Sequence, residues 1–394
     1  MAISSKIAGF MERSSWIRKM FEQGIELKKK YGEENVYDFS LGNPNLEPPK
    51  AFKPTINNLL ANEPGGMHKY MPNAGFPFVR EKIADFINKS EGTNLDESSI
   101  VMCCGAGAGL NVVLKALLNP GEEVLTIAPY FVEYNFYADN AGGVLKLAQS
   151  NDDFSINIEE VEKSITNKTK ALIINSPNNP TGRIYYSDEI NALADLLDKK
   201  SKEFGNTIYL ISDEPYKKLV FEDVKLPSVL KSYKNSIVVY SFSKDLSLAG
   251  ERIGYIAVNR ETENYEETLN AIILCNRILG FVNAPGLMQR VVAELLNESV
   301  DLEFYKNNRD ELYEIITAAG FKFKKPEGAF YFFVPSPIED DVEFVKKANE
   351  YKILLVPGSG FGRKGYFRVS YCVSPETIRN SKDAWKKLGK NFFD

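Results

Sequence analysis

The sequence predicts an α/β protein, a large domain on a doubly wound, mostly parallel sheet with a smaller α+β domain. Three observations predict it. Short apolar runs of strand length alternate with helical patterns from about Ile100 to Ala257. The 394 residues, 44% of them hydrophobic, exceed one typical core. Beyond residue 285, the apolar stretches 330–334 and 367–371 read as strands of a second, smaller sheet. The expected division is an N-terminal arm and part of the small domain at 1–50, the large domain at 51–284 and the rest of the small domain at 285–394. No linker, repeat or low-complexity segment interrupts it, and Lys28-Lys29-Lys30 reads as a solvated helix face.

The elements can be justified in order. The strand at 99–102 runs into a turn of small residues, Cys103 to Leu110, and then into an apolar-periodic helix reaching about Leu118. Small residues let backbone N–H groups approach an anion, and a helix N-terminus favours phosphate, so Gly105, Ala106 and Gly107 are candidate phosphate donors. Gly-Ala-Gly-Ala-Gly lacks the spacing of a dinucleotide fingerprint. A second strand follows at 124–127, and a third at 171–174 ends in Asn175-Ser176-Pro177-Asn178-Asn179-Pro180-Thr181-Gly182-Arg183, a turn signal in its own right. The buried run 209–212 ends in Asp213-Glu214-Pro215-Tyr216, an acid and a phenol at the strand end where open α/β sheets hold ligands. The strand at 237–240 leads to Ser241-Phe242-Ser243-Lys244, with Arg252 eight residues beyond the lysine. An amine among hydroxyls and a guanidinium suits a lysine that condenses with an aldehyde cofactor while its neighbours grip a phosphate.

Ser241-x-Ser243-Lys244 with Gly250-Glu251-Arg252-Ile253-Gly254-Tyr255 resembles the lysine motif of class I/II aminotransferases, fold type I pyridoxal-phosphate-dependent enzymes of the aspartate aminotransferase type. The resemblance implies roles for the other motifs. Lys244 would hold the cofactor covalently and move protons; Ser241, Ser243, Arg252 and the loop at Gly105, Ala106 and Gly107 would take its phosphate. Asp213 would pair with the pyridine nitrogen, keeping it protonated, while Asn179 and Tyr216 bond the phenolic oxygen. Phe131, two residues after Pro129, is expected to stack on the ring in preference to Tyr130. Gly42-Asn43-Pro44 resembles the N-terminal substrate loop, Tyr70 the phosphate-contacting tyrosine given to a neighbouring subunit, and Arg368 the clamp on the substrate α-carboxylate, a task that suits a planar guanidinium. Asn179 also falls at the substrate. The likeness runs from about residue 36 to 380.

Transamination by a ping-pong cycle is therefore expected: an L-amino acid gives its nitrogen to pyridoxal 5′-phosphate and a 2-oxo acid collects it. An acidic or aromatic donor is expected, although the lysine with which some aspartate-selective relatives meet the side-chain carboxylate is replaced here by Gly107. A carbon–sulfur β-lyase of the same fold is the alternative, followed by a non-catalytic effector-binding domain, for which no DNA-binding extension precedes Gly42. A net charge of −5 offers no basic field for nucleic acid. No signal-like or membrane-spanning apolar run is present, and four cysteines without a Cys-x-x-Cys pair suggest a reducing, cytoplasmic setting without a metal site. The single histidine, His68, leaves proton transfer to the lysine and reads as an idle loop residue. A homodimer with shared sites is expected through Tyr70.

Overall fold

Strands form where β-branched and aromatic residues run together. A computed structural model describes residues 2–62, 65–222 and 224–393, with the backbone alone for 12–23. Its strands are, in chain order, β1 (Tyr37–Asp38), β2 (Ile100–Cys103), β3 (Glu123–Ala128), β4 (Val144–Gln149), β5 (Thr169–Asn175), β6 (Tyr209–Asp213), β7 (Ser236–Ser241), β8 (Gly254–Val258), β9 (Tyr331–Pro335), β10 (Ile353–Leu354), β11 (Val356–Pro357) and β12 (Tyr366–Ser370). The chain divides into two units. The larger comprises Pro44–Leu302 and Pro326–Ala329; the smaller gathers the described residues before Pro44, Glu303–Lys325 and those from Phe330 onward.

In the larger unit seven strands form one sheet in the order β2-β8-β7-β6-β5-β3-β4. The pairs β3–β4, β3–β5, β5–β6 and β6–β7 are parallel, whereas β8 runs antiparallel to both β7 and β2. Every residue of β2, β3, β6, β7 and β8 is buried, as a sheet covered on both faces requires. Alternate residues go to opposite faces: Val101, Ala171 and Ile173 join one core cluster, with Leu110 and Val113 of helix Ala106–Leu117, while Leu172 and Ile174 join another, with Ile190 and Leu193 of helix Ser187–Phe204. Each such fully buried Val, Leu or Ile side chain stabilises the unit by roughly 1.5–3 kcal/mol. Helix ends follow chain chemistry: Pro77 opens Pro77–Glu91 and left-handed Gly92 closes it.

The smaller unit is α+β. Its antiparallel sheet, β11-β12-β9, packs an aromatic core in which Phe344 and Phe367 have centroids 4.6 Å apart and Trp385 stands edge-on to Phe321 at 5.8 Å. The short strands β1 and β10 pair in parallel. Lys29 and Lys30 are exposed as expected, but Lys28 is half-buried and paired with Asp38 at 2.7 Å.

The expected boundaries need correction. Residues 285–302 belong to the larger unit, because Met288, Val291 and Val292 of helix Gly286–Glu294 are buried in the same cluster as Val79 and Ile83. The N-terminal boundary falls at Pro44 rather than after residue 50, and Pro326–Ala329 returns to the larger unit: Phe221 N donates to Glu327 O at 2.8 Å and Ala329 N to Leu219 O at 2.9 Å.

Candidate active site

Strand register in the larger unit sets the geometry. Asn175 at the end of β5 pairs with Asp213 at the end of β6, which pairs with Val239 of β7, so the turns that follow these strands leave the sheet at one edge. Those turns carry Asn179, Tyr216 and Lys244. The side chain of Asn175 ties two of them together: Nδ2 donates to Asp213 O at 2.7 Å and Oδ1 accepts from Asn179 N at 2.7 Å. Asn179 and Tyr216 are buried, and Lys244 is half-buried.

A second group forms at the ends of β2 and β7, where β8 begins. Cys103 and Ser241 both pair with Gly254. A side chain there would not fit, since a Cβ on Gly254 would meet Tyr240 O at 2.2 Å and Gly105 Cα at 3.2 Å. Gly105 has φ +80°, and a Cβ on it would lie 3.0 Å from Arg252 Nη2. The small-residue loop thus lies against the arginine. Ser241 and Ser243 share a hydroxyl contact of 2.7 Å, and Arg252 donates from Nη1 to Ala249 O at 3.0 Å while staying exposed. Helix Ala106–Leu117 starts at Gly105 without a side-chain cap. Such an N-terminus, with two serines and an arginine, has the chemistry to receive an anion.

Asp213 is the electrostatic centre. It is 3% exposed, and burial raises its carboxyl to about 7, opposed by the Tyr134 hydroxyl and reinforced by Glu214. Tyr134 OH donates to Oδ2 at 2.7 Å, whereas Oδ1 is buried without a hydrogen-bond partner. Phe131 stands edge-on to Tyr134 at 5.6 Å and is partly exposed, whereas Tyr130 is buried and accepts from Asn135 Nδ2 at 2.6 Å. Tyr134 was missed by sequence reasoning. It lies 79 residues from Asp213, and the only hint was its place in the aromatic segment after Pro129. Tyr137 was missed too: a Cβ on Gly107 would lie 2.9 Å from its hydroxyl.

In the smaller unit Arg368, on β12, is 9% exposed, donates from Nη2 to Ser40 O at 2.7 Å and lies over the rings of Tyr331 at 4.6 Å and Phe361 at 4.8 Å. Gly42 is held close to Tyr331: a Cβ there would be 1.9 Å from the phenolic oxygen. Tyr70, in the larger unit, is 90% exposed, and His68 is exposed as well.

A family model described as aminotransferase class I and II matches residues 34–384. The chain belongs to the class I and II aminotransferase family. Among curated relatives of this enzyme, a probable aspartate aminotransferase from Methanocaldococcus jannaschii is 32% identical over 89% of the chain and 92% of its own length. An aromatic-amino-acid aminotransferase 2 from Thermococcus litoralis is 29% identical over 99% of both. A solved amino transferase from Eubacterium rectale is 40% identical, covers 100% of both chains and superposes with a TM-score of 0.96. The aminotransferase fold and activity follow. Among the described residues no helix is long and apolar enough to cross a membrane.

Membership implies dependence on pyridoxal 5′-phosphate, and the residues fit it. A buried carboxylate oxygen without a partner suits a protonated ring nitrogen, and the uncapped helix start beside Ser241, Ser243 and Arg252 suits a phosphate dianion.

Proposed function

We propose that the enzyme transfers the amino group of an L-amino acid to a 2-oxo acid with pyridoxal 5′-phosphate as the carrier. The observation that carries this reading is Asp213, whose buried, partnerless Oδ1 suits a cationic donor such as a protonated ring nitrogen. When bound, the cofactor supplies an aldehyde for amine condensation and a protonated ring that accepts electron density from the substrate α-carbon.

Each side chain has a task. Lys244 Nζ would hold the cofactor through its aldehyde carbon and, freed as a neutral amine once a substrate amine takes its place, would carry the proton from the substrate α-carbon to that former aldehyde carbon. Asp213 would keep the ring nitrogen protonated, Asn179 and Tyr216 would bond the ring oxygen, and Phe131 would cover the ring. Gly105, Ala106, Gly107, Ser241, Ser243 and Arg252 would hold the phosphate. Arg368 takes the α-carboxylate, with Gly42 lining the substrate.

The relatives' names favour acidic or aromatic donors. Tyr70, with its side chain outside its own fold, is assigned to the phosphate of a partner subunit in a homodimer. Four free cysteines fit a cytoplasmic enzyme. The test is to load the purified enzyme with pyridoxal 5′-phosphate, add a panel of amino acids including glutamate, aspartate and phenylalanine, and follow the visible spectrum. Donor-dependent loss of the band with release of the matching 2-oxo acid is expected, and Lys244→Ala should abolish it. A band unchanged by every donor, with pyruvate accumulating from a cysteine conjugate, would instead establish a β-lyase.

A further inference from the structure

Two four-residue turns in the larger unit carry residues assigned above: 215–218 holds Tyr216 and 242–245 holds Lys244. An ion pair joins them. Lys218 Nζ lies 3.4 Å from Asp245 Oδ2, and it also donates to the carbonyl oxygens of Leu296 at 2.7 Å and Glu298 at 2.9 Å. The side chain of Asp245 is 1% exposed and that of Lys218 20%. Asp245 Oδ2 accepts from Tyr240 OH at 2.6 Å, and Asp245 O accepts from Val300 N at 2.7 Å. Both turns are thereby fastened to each other and to the segment after helix Gly286–Glu294.

Neither Lys218 nor Asp245 has a part in holding cofactor or substrate in the proposed reading. Burying such a pair costs several kcal/mol of desolvation that its own attraction barely offsets, so net stability is a weak reason for it. Its other effect is geometric. Lys218 is two residues from the phenol and Asp245 is next to the amine, so the length of this pair fixes how far one turn stands from the other.

We propose that the Lys218–Asp245 pair is a positioning strut that sets the placement of the Tyr216 hydroxyl relative to the Lys244 amine. The inference rests on the pyridoxal-phosphate reading. The groups around Asp245 are Lys218 and Tyr240, with Tyr255 stacked on Tyr240 at 4.9 Å; Glu214 acts on both tyrosines and Glu91 on Tyr255.

The experiment uses the loaded enzyme and four variants: Lys218→Met, Lys218→Arg, Asp245→Asn and the Met/Asn double substitution. The readouts are the pH midpoint at which the visible band of bound cofactor shifts, and the apparent Tm. Asp245→Asn keeps an acceptor for Tyr240 and so serves even where Lys218→Met folds poorly. Lys218→Met and Asp245→Asn should each move the midpoint by about 0.5 pH unit or more, roughly a threefold change in the protonation equilibrium. The double variant should move it by less than the sum, and Lys218→Arg should restore it. Midpoints that stay at the unsubstituted value while Tm falls would overturn the strut and leave the functional reading standing. Absence of a visible band in the unsubstituted enzyme, with no borohydride-fixed adduct on Lys244, would overturn both.

Discussion

Replacing Asp213 by Asn in the cofactor-free protein should make it more stable at neutral and alkaline pH. The carboxyl is fully enclosed, and its folded value of about 7 lies above the ordinary 3.8. Protons therefore bind the folded state preferentially. The protonated carboxyl stabilises the fold fully below about 3.8, and that contribution is lost as pH rises through about 7. At 1.36 kcal/mol per pH unit the interval corresponds to about 4 kcal/mol of strain from a buried charge. Asn retains an acceptor for Tyr134 OH and adds an amide that must itself be buried, so a net gain of about 2–4 kcal/mol is expected at pH 8. With about 2.1 cal/mol/K of unfolding entropy per residue, a chain of 394 residues should gain roughly 2–5 °C in apparent Tm. The assay is thermal unfolding followed by circular dichroism from pH 4 to 8.5 at fixed protein concentration, for both proteins without cofactor. The two curves should converge near pH 4 and separate as pH rises. Curves that run parallel across the range would show that Asp213 carries no charge strain, and the argument for its partnership with a protonated ring nitrogen would fall. With cofactor present the order should reverse, because Asn cannot keep that nitrogen protonated.

Three further outcomes are expected. Tyr134→Phe removes the 2.7 Å donor to Asp213 Oδ2 and about 1.5–3 kcal/mol of support for the charged form; pyridoxal 5′-phosphate should bind about tenfold more weakly by fluorescence titration, with the stability midpoint of the cofactor-free protein shifted to higher pH. Gly105→Ala puts a methyl 3.0 Å from Arg252 Nη2 at φ +80°, costing about 1–2 kcal/mol in urea denaturation and weakening cofactor affinity more than tenfold. Arg368→Met should leave the cofactor spectrum and its affinity unchanged while raising KM for the amino donor roughly 150-fold, the loss of about 3 kcal/mol from a charge-assisted carboxylate contact; a loss of cofactor affinity equal to the loss in KM would remove its assignment to the substrate.

Much of the larger unit was legible because its strands are buried on both faces and so read as unbroken apolar runs. The expected segments 171–174, 209–212 and 237–240 lie inside β5, β6 and β7. β4 left no such trace, since at the sheet edge most of its residues are partly or fully exposed. The direction of β8 was not legible either, because parallel and antiparallel strands of like burial share one composition. Local motifs pointed to Lys244 and Asp213 as candidates, because an amine and a carboxylate stand at or just beyond the ends of apolar strands. Tyr134 stayed hidden because its role is a contact across 79 residues, and a tyrosine in an aromatic segment is indistinguishable from core. The domain edges were missed for a related reason: Pro326–Ala329 rejoins the larger unit through backbone hydrogen bonds, which any sequence can make.

The antiparallel insertion of β8 has a bearing on how the enzyme assembles. β7 and β8 form a local hairpin-like pair, so the amine that would bond the cofactor and the guanidinium that would hold its phosphate sit in one connecting segment between neighbouring strands. Contacts this close in sequence close early and at small entropic cost. The span between the two anchors should therefore form without help from distant parts of the chain, and substitutions in the smaller unit should leave cofactor capture untouched even when they abolish turnover.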